Sequence, residues 1–330
     1  MNIPTGRGLS AFVAVCSALF TTAIFGLVHA QDFPVRPVKI VVPLAPGGGT
    51  DFFGRLLAAK LTENLGQTVL VENRAGGGTL IGAEAVAKAP PDGYTLLLSA
   101  LTTYSVNPHL YKKLPYDPFR DFAPVTLTGR FALLLVVNSD VPAKSVAEFL
   151  ALAKSKPREL NFATPGPAST HQLAMELFMQ ATGAELTHVP YKGAGPATQE
   201  LLAGRIPVMI LDVATGLAHV KSGRIRALAI ASPERSSLLP DVPTISESGV
   251  PGYEASAWQG IVAPSGTPPR VIEKLNAEIA RAIADPGVRQ KLLDAGVEPL
   301  RSTPEQFAAY MRSESVKWAE VIRKGRISID

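Results

Sequence analysis

The chain has 330 residues, of which 46% are hydrophobic and 18% charged, a composition typical of a folded protein long enough for two domains. This balance excludes an intrinsically disordered chain. The 32 Lys+Arg and 28 Asp+Glu give a formal net charge of +4, and no run of like charges occurs. The charge therefore indicates neither a nucleic acid nor an anionic membrane as a partner.

Residues 1–30 are typical of a secretory signal. Arg7 is their only charged residue, residues 9–28 are apolar apart from small Ser and Thr, and the stretch ends in Val28-His29-Ala30. This pattern predicts export to the periplasm, with cleavage near Ala30. A membrane anchor is the alternative for an apolar stretch of this length, but no basic cluster follows it to stop transfer.

The single cysteine, Cys16, lies inside this predicted signal. The residue before it is not the small one that a lipid-anchored cysteine requires, so we expect no lipid anchor. The mature chain then contains no thiol. Disulfides, thiolate metal sites and cysteine nucleophiles are excluded together.

After the signal, short β-branched runs alternate with loops and amphipathic segments. The first series predicts strands at residues 39–44, 68–71 and 94–98 and helices at residues 51–65 and 80–88. The second series predicts strands at residues 133–137, 160–163, 187–191, 208–211 and 226–230 and helices at residues 146–154, 169–182 and 196–203. This alternation predicts an α/β fold with mainly parallel sheets covered by helices on both faces.

The last third is predicted to be helical after a turn-rich stretch at residues 232–252 and a strand at residues 260–263. Apolar residues recur at helical spacing, so we expect one core-facing stripe formed by Ile272, Leu275, Ile279, Ala282 and Ile283. Pro268-Pro269 opens this helix. A final helix carries Phe307, Tyr310, Met311 and Trp318, which we also expect in the core.

Four strand–helix junctions are rich in glycine or small residues, at residues 46–51, 75–79, 164–170 and 191–196. A helix N-terminus exposes unpaired N–H groups and a partial positive charge, which favour an anion. Such junctions lie beyond the carboxyl ends of strands, where α/β proteins bind ligands. Each junction is also explained as a tight turn, and Thr50 and Asp51 as helix caps, so the anion site depends on several junctions acting together.

Other chemistries lack their motifs. Neither glycine loop continues as a P-loop, no dinucleotide fingerprint follows the first strand, and no nucleophile elbow occurs. The histidines have no metal-ligand spacing, and Ser169-Thr170-His171 has no evident acidic partner for catalysis. Lys192 fits a solvated lysine or a partner for the substrate carboxylate better than a Schiff-base lysine. We therefore expect no catalytic residue, no metal and no cofactor.

Short motifs in a fixed order resemble the Bug-type receptors, the extracytoplasmic solute-binding components of tripartite tricarboxylate transporters. The resemblance covers residues 33–330. Its motifs are Pro34-Val35-Arg36-Pro37, the Pro-Gly-Gly-Gly-Thr-Asp loop at residues 46–51, Glu72-Asn73-Arg74-Ala75-Gly76-Gly77-Gly78, Pro91-Asp92-Gly93-Tyr94-Thr95, Asn107-Pro108, Leu114-Pro115-Tyr116-Asp117, Val189-Pro190-Tyr191-Lys192-Gly193, Leu239-Pro240-Asp241-Val242-Pro243-Thr244 and Ala263-Pro264-Ser265-Gly266-Thr267-Pro268.

The resemblance implies a two-lobed, clamshell periplasmic binding protein that captures a small carboxylate for membrane permease subunits. It implies one lobe from residues 31–129 and 253–330, an inserted lobe at residues 130–252, and hinge strands near residues 125–135 and 253–263. It also implies a monomer with no nucleic-acid partner. The implied ligand contacts are Gly47, Gly48, Gly49, Thr50, Asp51 and Thr103 in the first lobe, and Thr164, Gly166, Ala168, Ser169, Thr170, Tyr191, Lys192, Gly193 and Asp212 in the second.

The sequence departs from the family pattern at three places. Ala168 replaces a second glycine of its loop, which restricts the backbone there, and Gln172 replaces the usual histidine, with His171 one position earlier. Tyr104 stands where many relatives have histidine. These departures concern the identity of the ligand and leave the expected fold unchanged.

Two further functions remain open from the sequence. One is a ligand-sensing receptor for a signalling partner, and the other is an exported hydrolase or lyase on the same scaffold. The first predicts an interaction with a sensor protein, whereas the second predicts turnover of the bound acid that is lost in Ser169→Ala.

Overall fold

A computed structural model describes residues 33–329. The predicted signal at residues 1–30, with Cys16 and His29, lies outside the described residues. Pro37–Asp330 form one compact unit. Within the described part of the chain, no helix is both long and apolar enough to span a bilayer.

The unit contains alternating strands and helices. Its strands are β1 (Val38–Val42), β2 (Val69–Asn73), β3 (Thr95–Ala100), β4 (Phe122–Asn138), β5 (Asn161–Thr164), β6 (Thr187–Pro190), β7 (Val208–Asp212), β8 (Ile225–Ile230), β9 (Ser256–Pro264) and β10 (Val297–Pro299). Its helices are α1 (Gly49–Leu65), α2 (Leu80–Ala87), α3 (Asn107–Leu110), α4 (Val146–Ser155), α5 (Thr170–Thr182), α6 (Ala194–Leu202), α7 (Val213–Lys221), α8 (Pro269–Ala284), α9 (Pro286–Asp294) and α10 (Pro304–Gly325). A short 3₁₀ turn, Gly77–Thr79, precedes α2, and a π-helix, Thr102–Val106, precedes α3.

The strands pair in two groups that share the long strand β4. In one group β1 pairs parallel with β2 and β3, and β9 pairs antiparallel with β3 and β4. In the other, β5 pairs parallel with β6 and β7, and β7 and β8 pair antiparallel with β4. The expected parallel pairing therefore occurs where helices connect the strands, whereas β4 and β9 make the sheets mixed.

The carboxyl ends of the parallel strands lie at one edge of each group, and the glycine-rich junctions follow them. Helix α1 begins directly after the first junction and buries Phe53, Leu57 and Leu61, one residue per turn, against the sheet. It ends at Gly66, as predicted. The packing of this face holds the N-terminus of α1 at the sheet edge.

Aromatic side chains fill the core on the opposite face of the first group. Trp258 of β9 stacks on Tyr104 at a centroid distance of 6.0 Å and packs edge-on against Phe307 of α10 at 5.9 Å. Both Trp258 and Trp318 donate indole N–H bonds to the buried carboxylate of Glu314, at 2.8 and 2.9 Å. A Cβ at Gly260 would lie 2.2 Å from the ring of Phe307, so this close packing requires glycine.

The patterned elements are confirmed, including the buried stripe of α8. The helices α3 and α7, the strand β10 and the first half of β4 lack a sequence prediction, and α9 lies in the stretch predicted to be helical without bounds of its own. Helix α7 buries only Val213 and Gly216, so it has no stripe of large apolar residues to reveal it. The first half of β4 contains Pro124 and buried threonines, which interrupt the apolar pattern by which a strand is predicted from sequence.

Candidate functional site

A cavity of about 360 Å³ lies between the N-termini of α1 and α7. Gly49 and Thr50 line it from the first turn of α1, and Ala214 and Thr215 line it from the first turn of α7. The remaining lining residues are Asp212, Phe131 and Ala295. Two helix N-termini thus face one cavity of a size suited to a small solute.

The first wall is formed by the 47–51 loop and the start of α1. Gly48 caps the helix in an extended conformation with no side-chain cap bond. The backbone N–H groups of Gly49 and Thr50 donate to no group among residues 33–329. These free donors and the helix dipole give this wall the character of an anion seat.

Asp51 fixes the shape of this loop from inside. Its carboxylate, 4% exposed, accepts bonds from the N–H of Gly47 at 2.9 Å, from Arg55 at 3.0 Å and from Asn73 at 2.9 Å. Gly47 has a φ of 88°, which places its N–H towards that carboxylate and favours glycine. Asp51 therefore supports the loop, and its oxygens point to protein groups.

These bonds also set the ionisation of Asp51. Burial alone raises the pKa of this carboxyl, but the hydrogen bonds from Arg55, Gly47 and Asn73, together with the charge of Arg55, outweigh burial. The pKa falls from 3.8 to about 2. Asp51 is consequently a carboxylate at neutral pH.

The 164–170 loop follows β5 in the second group. The hydroxyl of Thr164, a fully buried residue, lies 2.6 Å from Nε2 of His188 and accepts a bond from the N–H of Gly166 at 3.3 Å. Burial lowers the pKa of His188. The loop thus rests on neutral groups at the end of β5.

Ala168 adopts the left-handed conformation in this loop, with a φ of 54°. Its N–H donates to Oε1 of Gln172 at 2.7 Å, and the hydroxyl of Ser169 caps α5 by accepting from the N–H of Gln172 at 3.3 Å. Two of the departures from the family pattern, Ala168 and Gln172, are therefore bonded to each other. The restriction expected at Ala168 takes the form of a conformation that alanine rarely adopts.

The junction at residues 191–196 lies directly beside the 164–170 loop. The N–H of Tyr191 donates to the carbonyl of Thr164, and that of Gly193 to the carbonyl of Pro165, both at 2.9 Å. The side chain of Lys192 is exposed and makes no ion pair among the described residues. None of these residues lines the 360 Å³ cavity.

Thr103 lies deeper than the other predicted contacts. It is fully buried, and its hydroxyl bonds to Ser99 at 2.6 Å and to Thr79 at 2.8 Å. The 75–79 junction, rich in positive φ angles, is held over this hydroxyl cluster by Asn107, which donates to the carbonyl of Gly78 at 3.0 Å. The cluster packs the junction and leaves no Thr103 surface at the cavity.

Asp212 ends β7 and brings the second group to the cavity. One of its carboxylate oxygens, Oδ2, lies 3.2 Å from Nε2 of His171 in α5. The side chains of Asp212 and His171 are 30% and 13% exposed. The sequence offered no acidic partner for His171, because Asp212 is distant along the chain.

Of the predicted contacts, Gly49, Thr50 and Asp212 line the cavity. The others do not line it: Gly47, Gly48 and Asp51 belong to the loop and first turn of α1, the 164–170 and 191–193 loops follow β5 and β6, and Thr103 is fully buried. Sequence reasoning missed Phe131, Ala214, Thr215 and Ala295. Only the start of α7 had a possible signal, in that Asp212 is a good helix-capping residue after a predicted strand.

Gln259 on β9 is a buried polar residue that the sequence did not indicate. It is fully buried, and neither atom of its side-chain amide has a hydrogen-bond partner among the described residues. It pairs with Ala100 and Gly129, and Phe131 pairs with Ala257 two residues further along both strands. Because side chains alternate along a strand, Gln259 shares the face of Phe131.

Ser169 and His171 make separate hydrogen bonds, to Gln172 and to Asp212. Within residues 33–329, no group of three or more His, Cys, Asp or Glu side chains is placed to hold a metal ion. The hydroxyl of Ser169 caps α5 and makes no hydrogen bond with His171. His171 and Asp212 form a pair without a nucleophile bonded to it.

Comparisons with known proteins agree on one family. The model of the tripartite tricarboxylate transporter family receptor matches residues 53–327. Protein BugT of Bordetella pertussis is 39% identical over 318 residues, which cover 96% of this chain and 98% of BugT.

Solved structures extend this similarity. Rpa4515 of R. palustris, with adipate, is 37% identical, has a TM-score of 0.76, and the match covers 90% of this chain and 99% of that chain. MatC of Rhodopseudomonas palustris, with bound malate, is also 37% identical, has a TM-score of 0.72, and the match covers 88% and 100% of the two chains. The predicted α/β fold of periplasmic binding proteins is confirmed.

Proposed function

We propose a function from the premise that this chain belongs to the tripartite tricarboxylate transporter receptor family. The chain captures a small carboxylate in the periplasm and presents it to membrane permease subunits. The observation that carries this proposal is the cavity between two helix N-termini, with the unbonded N–H groups of Gly49 and Thr50 on one wall.

The relatives with adipate and with malate support a carboxylate ligand, since both compounds are carboxylates. In this chain the carboxylate binds the N-terminus of α1, where backbone donors and the helix dipole replace water around it. The 164–170 loop and residues 191–193 complete the site when the protein closes.

Closure requires two parts that move relative to each other. We assign residues 31–129 and 253–330 to one lobe and residues 130–252 to the other. Strand β4 supports a hinge near residues 125–135, because it pairs with β9 and β10 in one half and with β7 and β8 in the other. A ligand that contacts both lobes shifts the equilibrium towards the closed form.

Export is part of the same proposal. Residues 1–30 act as a signal that is removed near Ala30, which agrees with a family of periplasmic receptors. Expression of the full chain with its signal, followed by N-terminal sequencing of the periplasmic protein, tests this. A mature protein that starts near Gln31 supports export, and an uncleaved, membrane-bound chain contradicts it.

The binding test uses calorimetry on the mature chain with monocarboxylates, dicarboxylates, tricarboxylates, sugars and metal ions. We expect binding only among the carboxylates. Gly48→Val adds bulk at the start of α1, where a Cβ has open space except for a carbonyl at 3.9 Å, so the variant stays folded and loses affinity at least tenfold. Ala147→Val, an exposed change in the first turn of α4, is the matched control and keeps full affinity.

Two outcomes contradict the proposal. One is binding of a sugar or a metal ion with silence from every carboxylate. The other is full carboxylate affinity in Gly48→Val, which would mean that the 47–51 loop is only a turn and does not bind the ligand. The proposal includes no chemical step, so we expect the bound acid to be recovered unchanged after incubation with the protein. We also expect the protein to be a monomer, which light scattering measures.

A further inference from the structure

The two walls of the cavity differ in charge. The α1 wall presents the free N–H groups of Gly49 and Thr50, whereas the opposite wall carries the carboxylate of Asp212. None of the seven lining residues is Lys or Arg. The α1 wall therefore suits an anion, whereas the carboxylate of Asp212 adds a negative charge to the wall at the start of α7.

An aspartate that precedes a helix usually caps it, but the side chain of Asp212 does not. Asp212 is the N-cap residue of α7. Its oxygen Oδ2 faces His171, and its oxygen Oδ1 has no partner among residues 33–329. A carboxylate oxygen that lines a cavity without a partner is an acceptor for a donor group of the ligand.

His171 holds the carboxylate in this position. The pair joins the start of α5 to the end of β7 at 3.2 Å, and both side chains are largely covered. Arg55, on the second turn of α1, is bonded to Asp51 and Asn73. The contact with His171 thus holds the carboxylate of Asp212 at the wall of the cavity.

We propose that the ligand combines one carboxylate with a hydrogen-bond donor, an ammonium or hydroxyl group, at its other end. This inference rests on the proposed function and names its ligand class. The carboxylate binds the start of α1 and the donor binds Oδ1 of Asp212. A second carboxylate at that end meets the carboxylate of Asp212, and no Lys or Arg lines the cavity to offset the repulsion, so simple dicarboxylates bind more weakly.

The experiment compares acids that differ only in their end group. Succinate, 4-aminobutyrate and 4-hydroxybutyrate form one set, and adipate, 6-aminohexanoate and 6-hydroxyhexanoate form another, with the same end-group exchange made on any acid that the carboxylate screen finds. Calorimetry measures each affinity. We expect the amino or hydroxy acid to bind at least tenfold more tightly than the dicarboxylate of the same length.

Asp212→Asn tests whether this residue causes the preference. Asparagine keeps an acceptor for His171 and removes the charge, so the amino acid loses affinity at least tenfold, the dicarboxylate gains, and the hydroxy acid changes least. Asp140→Asn replaces an exposed acid after β4 and leaves all affinities unchanged. Circular dichroism confirms that both variants are folded.

The outcomes separate this inference from the proposed function. If a dicarboxylate binds as tightly as its amino and hydroxy counterparts, or if Asp212→Asn leaves the order of affinities unchanged, the inference is wrong and the receptor function stands. If no carboxylate binds in either the sets or the screen, the proposed function itself is wrong.

Discussion

The 47–51 loop and the 164–170 loop each join the end of a strand to the N-terminus of a helix, but different chemical groups hold them in place. In the first, the buried carboxylate of Asp51 accepts bonds from Gly47, Arg55 and Asn73. In the second, the neutral Gln172 accepts the N–H of Ala168 and Ser169 caps the helix. Each arrangement ends with a helix N-terminus at the sheet edge.

The two loops differ in the groups that stabilise them. The first loop depends on one ionised group with three partners, so its loss affects every bond together. The second loop distributes the task among neutral groups and holds Ala168 at a φ of 54°, which costs conformational energy. We therefore expect the first loop to be sensitive to charge and pH and the second to tolerate both.

The largest expected effect comes from Asp51→Ala. The change removes the acceptor of the N–H of Gly47 and one acceptor each of the side chains of Arg55 and Asn73, and we expect a loss of about 2–4 kcal/mol in the free energy of unfolding. The protein stays folded and binds its ligand more weakly. Urea unfolding measures the loss, with Glu84→Ala, which breaks a surface i,i+4 pair with Lys88, as a control of under about 1 kcal/mol.

Acid provides the second way to separate the loops. The pKa of Asp51 is lowered from 3.8 to about 2 by folding, so its stabilisation is complete above the unfolded value and is lost as the pH falls from 3.8 towards 2. Melting temperatures of the wild type and of Asp51→Asn between pH 5 and about pH 2 test this. We expect the two curves to converge on acidification, and a constant gap contradicts the assignment.

Gln172→Ala has a smaller expected effect in the second loop. It leaves the buried N–H of Ala168 without an acceptor, at a cost of about 1 kcal/mol. Gln199→Ala, at an exposed position in α6, is the control and leaves the free energy of unfolding unchanged. An equal loss in both variants means that the bond between Ala168 and Gln172 contributes nothing.

Ala168→Gly has the smallest expected effect and the opposite sign. Glycine adopts a φ of 54° without the strain of a Cβ, so we expect a gain of about 0.5–1 kcal/mol in the free energy of unfolding. Ala151→Gly in the exposed face of α4 is the matched control, with a loss of about 1 kcal/mol. A loss in both variants means that Ala168 is unstrained.

Periodicity located the elements that bury a regular apolar face, such as α8, because burial of a stripe requires that spacing. It failed for α7, which packs Gly216 closely against the sheet, where a Cβ would lie 3.3 Å from Leu211. That omission concealed Ala214 and Thr215, two of the seven residues that line the cavity. The glycine junctions were predicted from local chemistry, but their order around the cavity depends on strand pairing.

The sequence by itself determined the α/β alternation, the glycine-rich junctions and, through motif resemblance, the family. These features are local, and each depends on residues close together in the chain. Only the tertiary structure decided that Asp212 meets His171, that Asp51 faces its own loop, and that Gln259 is buried without a partner. Such pairs join distant segments, and the packing of strands and helices alone brings them within hydrogen-bond distance or keeps them apart.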